Sequence, residues 1–471
     1  MVAPSKPTLL TYTCYELGHT WTPSCTKASF DVAKDVSKEA FKIYGSLYLI
    51  AAIVRRKGKK YFRDKFWREL AQSTLFLTTN GTLFITCFCI WRKLVGSFYY
   101  VNTLAFIPSM MATLVAIILE RKSRRGLLAM YTGNLALETV WRMLKARGWV
   151  KSIPNGEVLM FSVATAIYLY YFKKQNGLPS GTESMFKMVF GSIETLPEKS
   201  DDDEDDMETE QEFPMSRNGP GPGARSTTRS HPALNMVAPL LRAVEPMVSW
   251  LKHRPSHPVC QHKHSCAFYV IQGAVRMFGI GYGVQAVIKL LSSLPGVFKR
   301  PKTVISALMN KANVQLGAFL ASLVGIYRAL NCVLRWLRDR DDSLHGLVAG
   351  FVAGWSMMYY KSSTIALYTA SKVAEMMYFK GIAVGKLPYI QCADIILYSI
   401  STSIVFHAAV LEPHNLRPAY WKFLMRVTGN KFAGMNRRLL DPYITNCSKL
   451  YPDYWPDYDM RFTNLVKPPA S

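Results

Sequence analysis

Apolar residues in this chain gather in long blocks rather than in the narrow stripes of a soluble domain, and the blocks come in two sets. Crossing a bilayer core takes about 17–25 helical residues. Leu70–Trp91, Phe98–Leu119 and Glu157–Phe172 meet or approach that length in the first half, and Val314–Leu337, Leu344–Tyr360, Thr364–Phe379 and Ala393–Val410 do so in the second. Arg125–Leu144 is weaker, because Glu138 and Arg142 interrupt it. The pattern predicts roughly four spans per half. Each set is preceded by a further apolar segment. Ile43–Val54 would give about 18 Å of helix, too short to cross unaided, while Phe268–Leu291 is longer but contains Arg276. If both cross, the halves are inverted; if both lie flat, they are parallel.

The two sets also match residue for residue. "LLAMYTGNLALETVW" (Leu127–Trp141) lies over "TIALYTASKVAEMMY" (Thr364–Tyr378) with an offset of 237, which also carries Glu138 onto Glu375, Glu157 onto Asp394 and Ser162 onto Ser399. A duplicated membrane unit is the reading. The expected fold is therefore an all-α polytopic membrane protein of two tandem homologous bundles, each of about four to five helices. Its divisions would be an N-terminal repeat over 1–195, a linker and interfacial segment over 196–252, a C-terminal repeat over 253–411, and a basic soluble tail over 412–471. The linker is acidic and then rich in Gly, Pro, Ser and Arg, a composition that buries too little apolar surface to offset ordering and should be disordered. In the tail, Tyr420–Arg426 reads as a basic amphipathic surface helix.

The net charge is +25, although nine acids crowd into Asp201–Glu212 alone, so the remainder is more basic still. The positive charge flanks the apolar blocks, as in Arg55–Arg68 and Arg121–Arg125. Contact with anionic lipid headgroups explains this placement, whereas nucleic-acid binding would want a basic aromatic platform on a soluble domain. The N-terminus lacks a charged start followed by an apolar core, so an internal segment is expected to direct insertion.

Three constellations could carry chemistry. Gly346, Gly350 and Gly354 recur every four residues and form a groove down one helix face, suited to close packing or to a conduit. Just before them stands a charged hairpin, Arg338 and Arg340 with Asp341 and Asp342. Subtracting 237 places Ser109, Thr113 and Ile117 opposite the three glycines, so only the second half keeps that face. Next come ionisable residues at membrane depth, Glu138 with Arg142 and Lys372 with Glu375. They are spaced to neutralise each other along a helix and are placed either as structural ion pairs or as a transporter's site between repeats. The third is the run His253, His257, Cys260, His262, His264 and Cys266, with a sparser analogue in Cys14, His19 and Cys25. His257, Cys260, His262 and Cys266 would suffice for zinc, although their spacing matches no common finger or ribbon; no other cofactor is expected. Cys87, Cys89, Cys332 and Cys392 lie in or beside apolar helices, where a packed thiol is the default. No nucleophile–base–acid set, phosphate loop or dinucleotide fingerprint stands on a soluble element, so a non-enzymatic protein is expected.

The hairpin and glycine helix, "RWLRDRDDSLHGLVAGFVAGWSMM" (Arg335–Met358), resemble the Tim17/Tim22/Tim23 translocase family over about four spans, Val314 to Val410. "CYELGHTWTPSC" (Cys14–Cys25), "ILERKSRRGLL" (Ile118–Leu128), "YFKGIAVGKLPY" (Tyr378–Tyr389) and "LRPAYWKFLMRVTGNKFAGMNRRLLD" (Leu416–Asp441) resemble the transmembrane protein 135, or peroxisomal membrane protein 52, family almost end to end. That resemblance implies mitochondrial and peroxisomal membranes, control of mitochondrial fission through a dynamin-related GTPase and other fission factors, peroxisome organisation and lipid handling. A lipid or metabolite transporter, or a translocase-like channel using the repeat interface, is the alternative.

Overall fold

Helices dominate because apolar blocks of this length can satisfy their backbone in lipid only within themselves. The chain is described from a computed structural model covering residues 9–174, 177–194, 245–297, 302–444 and 446–467. The longer helices are α1 (Cys25–Val54), α2 (Trp67–Leu94), α3 (Phe106–Leu119), α4 (Lys122–Ala146), α5 (Gly156–Lys173) and α6 (Ser180–Phe190). They continue as α7 (Cys266–Val297), α8 (Lys311–Arg338), α9 (Ser343–Gly354), α10 (Ser363–Ala383), α11 (Ala393–Leu411) and α12 (Pro418–Val427). Side-chain caps start several of them: Ser24 accepts from the Lys27 amide, Asp342 from Leu344 and Ser362 from Ile365. Two residues offset by 237, Asn155 and Cys392, both stand in the left-handed region (φ 54° and 56°) and turn the chain into α5 and α11. A two-residue ribbon pairs Leu9–Leu10 antiparallel with Tyr99–Tyr100.

The protein is a multi-pass, all-helical membrane protein. Among the described residues, four stretches are long and apolar enough to cross a bilayer: Lys59–Leu94, Val101–Leu119, Val304–Arg338 and Ala393–Leu411. Elsewhere the expected helix limits shift. Leu344–Tyr360 is broken, since α9 ends at Gly354 and a tighter turn covers Trp355–Tyr359. Ile43–Val54 is the end of the 30-residue α1, about 45 Å long at 1.5 Å per residue. Its charged first half hides it from a hydropathy reading.

The compact units divide the chain differently from the expected boundaries 1–195 and 253–411. One unit is Met1–Pro154 together with Gly385–Ser471, and the other is Asn155–Val384. In unit 1 the helices neighbour one another in the order α1, α2, α3, α11, α4; in unit 2 the order is α7, α8, α9, α5, α10. Helix α5, from the first half of the sequence, therefore packs in unit 2, and α11, from the second half, packs in unit 1. The expected linker falls on 196–252, of which 196–244 lies outside the described residues.

The segment expected as a soluble tail is part of the unit 1 core. Helix α12 buries Tyr420, Trp421, Leu424 and Val427, and the chain beyond adds Phe432, Met435, Leu439 and Leu440 to the same cluster as Leu17, Phe84 and Phe88. Each such side chain, fully buried, stabilises by about 1.5–3 kcal/mol. Thr20 donates to the Gly434 carbonyl (2.6 Å), and the Asn436 amide donates to the Leu17 carbonyl (3.1 Å). Buried Arg437 donates to the Ala409 and Val410 carbonyls, both at 3.1 Å, satisfying acceptors that the end of α11 leaves open.

Candidate functional site

Helices α1, α2, α4, α11 and α12 of unit 1 leave a cavity of about 490 Å³, within the range of about 300–1,000 Å³ typical of ligand pockets. Aromatic rings supply much of its wall, among them Phe76, Phe84, Tyr398, Phe406 and Phe432. Two cations line it, and each is already compensated. Arg124 donates to the Tyr48 hydroxyl (2.6 Å), Ser73 Oγ (2.5 Å) and the Glu120 carboxylate (3.1 Å), while Lys431 pairs with Asp35. At the wall, Asn80 donates from Nδ2 to the Tyr398 hydroxyl (2.9 Å), and its Oδ1 is buried without a hydrogen-bond partner. The cavity thus offers a largely apolar volume whose wall carries three buried, unpartnered polar atoms, Asn80 Oδ1, Thr402 Oγ1 and the donor Trp21 Nε1. A buried polar group left unmatched costs about 1–3 kcal/mol, so an apolar occupant with a small polar group able to meet them fits best.

The glycine face is closed in unit 2. Gly346, Gly350 and Gly354 lie against α5, where a Cβ on each would meet the Leu169 carbonyl, the Ala166 backbone and Ser162 respectively. Helix α9 thus approaches α5 at backbone distance.

The charged hairpin splits into roles. Asp342 caps α9, and Arg338 and Arg340 are exposed. Asp341 accepts from Arg335 (2.9 Å) and from the Lys173 ammonium, and Arg335 also reaches Glu194 (3.1 Å). Burial works against charge on Asp341, yet the Arg335 hydrogen bond and the Lys173 charge hold its carboxyl below the usual range. Sequence reasoning does not reach Lys173, Glu194 or Arg335 in this network. A cation placed on the buried face of an apolar helix, as Arg335 is, was the available signal.

Glu138 and Glu375 belong to different units and have different partners. Glu138 takes Arg142 on Oε1 (2.5 Å) and the Arg417 guanidinium on Oε2. Among the described residues Glu375 pairs with Lys372 (2.5 Å), and each of those side chains is about one-third exposed.

The histidine–cysteine residues gather in two places. Cys260, His262, Cys266 and Cys332 bring one sulfur or nitrogen each within 4.8 Å of one another, and Cys14, His19, Cys25 and Cys89 do the same. His257, expected as a ligand, is instead drawn to Asp339 (2.9 Å) and packs by Trp336. Its place is taken by Cys332 from α8, and in unit 1 the fourth position is Cys89 from α2; neither is the merely packed thiol expected. Hydrogen bonding to Cys89 pulls the Cys14 thiol down to about 4 despite burial, and Cys332 does the same to Cys260, also to about 4.

Residues 11–145 match the family described as the N-terminal cysteine-rich region of Transmembrane protein 135. Residues 266–378 match the Tim17/Tim22/Tim23/Pmp24 family. The chain carries both regions, the first around the unit 1 cysteines and the second over α7–α10. No solved structure matches.

Proposed function

We propose that the chain is a non-enzymatic multi-pass membrane protein that holds a neutral lipid in the unit 1 cavity. Through that lipid it would act on the balance of mitochondrial fission and fusion and on peroxisome organisation. The observation that carries the lipid reading is Asn80, whose buried, unpartnered Oδ1 stands with Thr402 Oγ1 and Trp21 Nε1 at the wall of a largely apolar, charge-compensated cavity. Two walls of that cavity, α2 and α11, belong to apolar stretches of membrane-spanning length, so a lipid is the occupant nearest at hand. The organelle part rests on the resemblance to the transmembrane protein 135 family. Mitochondrial and peroxisomal membranes are then the location, and a dynamin-related GTPase with other fission factors the protein partners. Anionic lipid is the further partner. Between α1 and α2, Arg55, Arg56, Lys59, Lys60, Arg63 and Lys65 are exposed, and each cation near an anionic surface contributes about 1 kcal/mol. A transporter or translocase-like channel draws no support from the glycine face, which α5 covers.

Full-length protein in detergent should carry co-purified lipid, and a photoreactive lipid should label peptides of α2 and α11. Asn80→Leu should cut that labelling severalfold while the melting temperature holds. In cells lacking the chain, wild type should restore tubular mitochondria and the variant should not. Equal labelling of wild type and variant, or full rescue by the variant, would remove the lipid reading.

A further inference from the structure

Two sets of four soft or borderline ligands occupy equivalent places in the two units. In each, the first residue of the first long helix supplies a cysteine, Cys25 on α1 and Cys266 on α7, directly after a serine. The second long helix supplies another, Cys89 on α2 and Cys332 on α8. The non-helical lead-in before α7 adds Cys260 and His262; before α1, a four-residue turn of helix and the loop after it add Cys14 and His19. Sequence spacing differs between the lead-ins, but the spatial set, three thiols and one imidazole, is the same.

The separations fit a tetrahedral ion. Bonds of about 2.3 Å to sulfur and about 2.0–2.1 Å to nitrogen put sulfur atoms about 3.8 Å apart and a sulfur and a nitrogen about 3.6 Å apart. Here Cys14 and Cys25 sulfurs lie 3.5 Å apart, Cys260 and Cys266 sulfurs 4.0 Å, and Cys332 Sγ is 3.7 Å from His262 Nε2. A disulfide would need about 2.05 Å, and all of these cysteines are free.

Both imidazoles are also oriented for ligation. His19 Nδ1 lies 2.8 Å from the Thr22 carbonyl, and His262 Nδ1 lies 2.5 Å from the carbonyl of His264. A carbonyl can only accept, so Nδ1 carries the proton and Nε2 presents its lone pair, the arrangement that ligating histidines use. Nε2 of His19 is buried and without a hydrogen-bond partner. His262 is further held by stacking on Tyr269, with ring centroids 4.7 Å apart.

We propose that the chain binds two zinc ions, one at Cys14, His19, Cys25 and Cys89 and one at Cys260, His262, Cys266 and Cys332. Each ion ties a lead-in segment to the first two helices of its unit. With four protein ligands and no open position, these are structural sites. The unit 1 cavity is a separate site, although Gly18 and Trp21 of this unit's lead-in line its wall.

Metal analysis of monodisperse full-length protein in detergent tests this directly, with expression in zinc-supplemented medium. About two zinc per chain are expected. Cys89→Ser and Cys332→Ser should each remove one, and the double variant both, while His19→Cys should retain two. To guard against variants that fail to fold, wild-type protein is also treated with a mercurial reagent and the released zinc is titrated. Cobalt reconstitution should add thiolate-to-metal charge-transfer bands. Monodisperse wild type holding less than one zinc per chain, an intact mass showing these cysteines oxidised in pairs, or zinc content unmoved by both substitutions would overturn the proposal.

Discussion

The two units place five helices in the same neighbour order, yet they close their central seams in opposite ways. In unit 2, Gly346, Gly350 and Gly354 let α9 meet α5 backbone to backbone. In unit 1 the corresponding residues of α3 are Ser109, Thr113 and Ile117, all buried, with Thr113 spending its hydroxyl on the Ser109 carbonyl (2.8 Å). Unit 1 fills with side chains what unit 2 leaves to backbone, and the cavity described above lies in unit 1. Polar fixation differs too. Unit 2 holds an Arg335–Glu194–Asp341–Lys173 network, whereas unit 1 anchors the end of α11 through Arg437 of the returning tail. One neighbour order therefore serves a backbone-to-backbone seam in one unit and a seam packed by side chains in the other.

The largest effect expected from breaking this contrast is at Arg335. Arg335→Met strips Glu194 and Asp341 of their shared cation, and removing one partner of a buried pair costs about 3–5 kcal/mol. Hydrogen exchange should quicken in α8 and α9 while α1–α3 stay protected, and Glu194→Gln should recover part of the loss. Next, Gly350→Ala puts a methyl 2.9 Å from the Ala166 Cα, an overpacking of about 1–3 kcal/mol. Thr113→Ala, at the matched position, should cost about 1 kcal/mol or less. Equal shifts in melting temperature would erase the distinction between the seams. The matched glutamates sharpen it further. Glu138→Gln loosens two guanidinium contacts and should cost about 1.5 kcal/mol, while Glu375→Gln, with a lysine partner about one-third exposed, should cost about 0.2–0.5 kcal/mol. Titration is the gentlest probe. The carboxyl of Asp341 is held below its ordinary range, so its contribution is present above the unfolded value of about 3.9 and fades as pH drops through the lowered one. Unit 2 should soften in acid before unit 1. Asp341→Asn should remove that acid dependence, read by hydrogen exchange across a pH series.

Much of the helical inventory is legible in the chain because spanning segments announce themselves by length and apolarity. Helix α1 escapes that reading, since Asp31, Lys34, Asp35 and Lys38 dilute its first half even though Val32 and Val36 are buried. The exchange of α5 and α11 escapes it for a different reason: the two segments are matched in pattern, and hydropathy does not say which bundle a helix joins. The tail reads as amphipathic, but not what its apolar face covers, because Trp421 and Leu424 find their partners in Phe84 and its neighbours hundreds of residues away. At the cysteine clusters, the lead-in ligands stand close together in sequence and are visible. Cys89 and Cys332 arrive from helices more than sixty residues downstream, and only the packing of the second helix against the first delivers them.

The placement of α11 has a consequence for biosynthesis. A ribosome releases the first four helices of unit 1 long before the fifth exists, and the whole of unit 2 is made in between. Until Leu411 has emerged, the nascent bundle has a vacant slot along α3 and α4. A truncated product ending ahead of Ala393 would keep that groove permanently, a ready target for quality-control machinery that patrols membranes for unfinished helices.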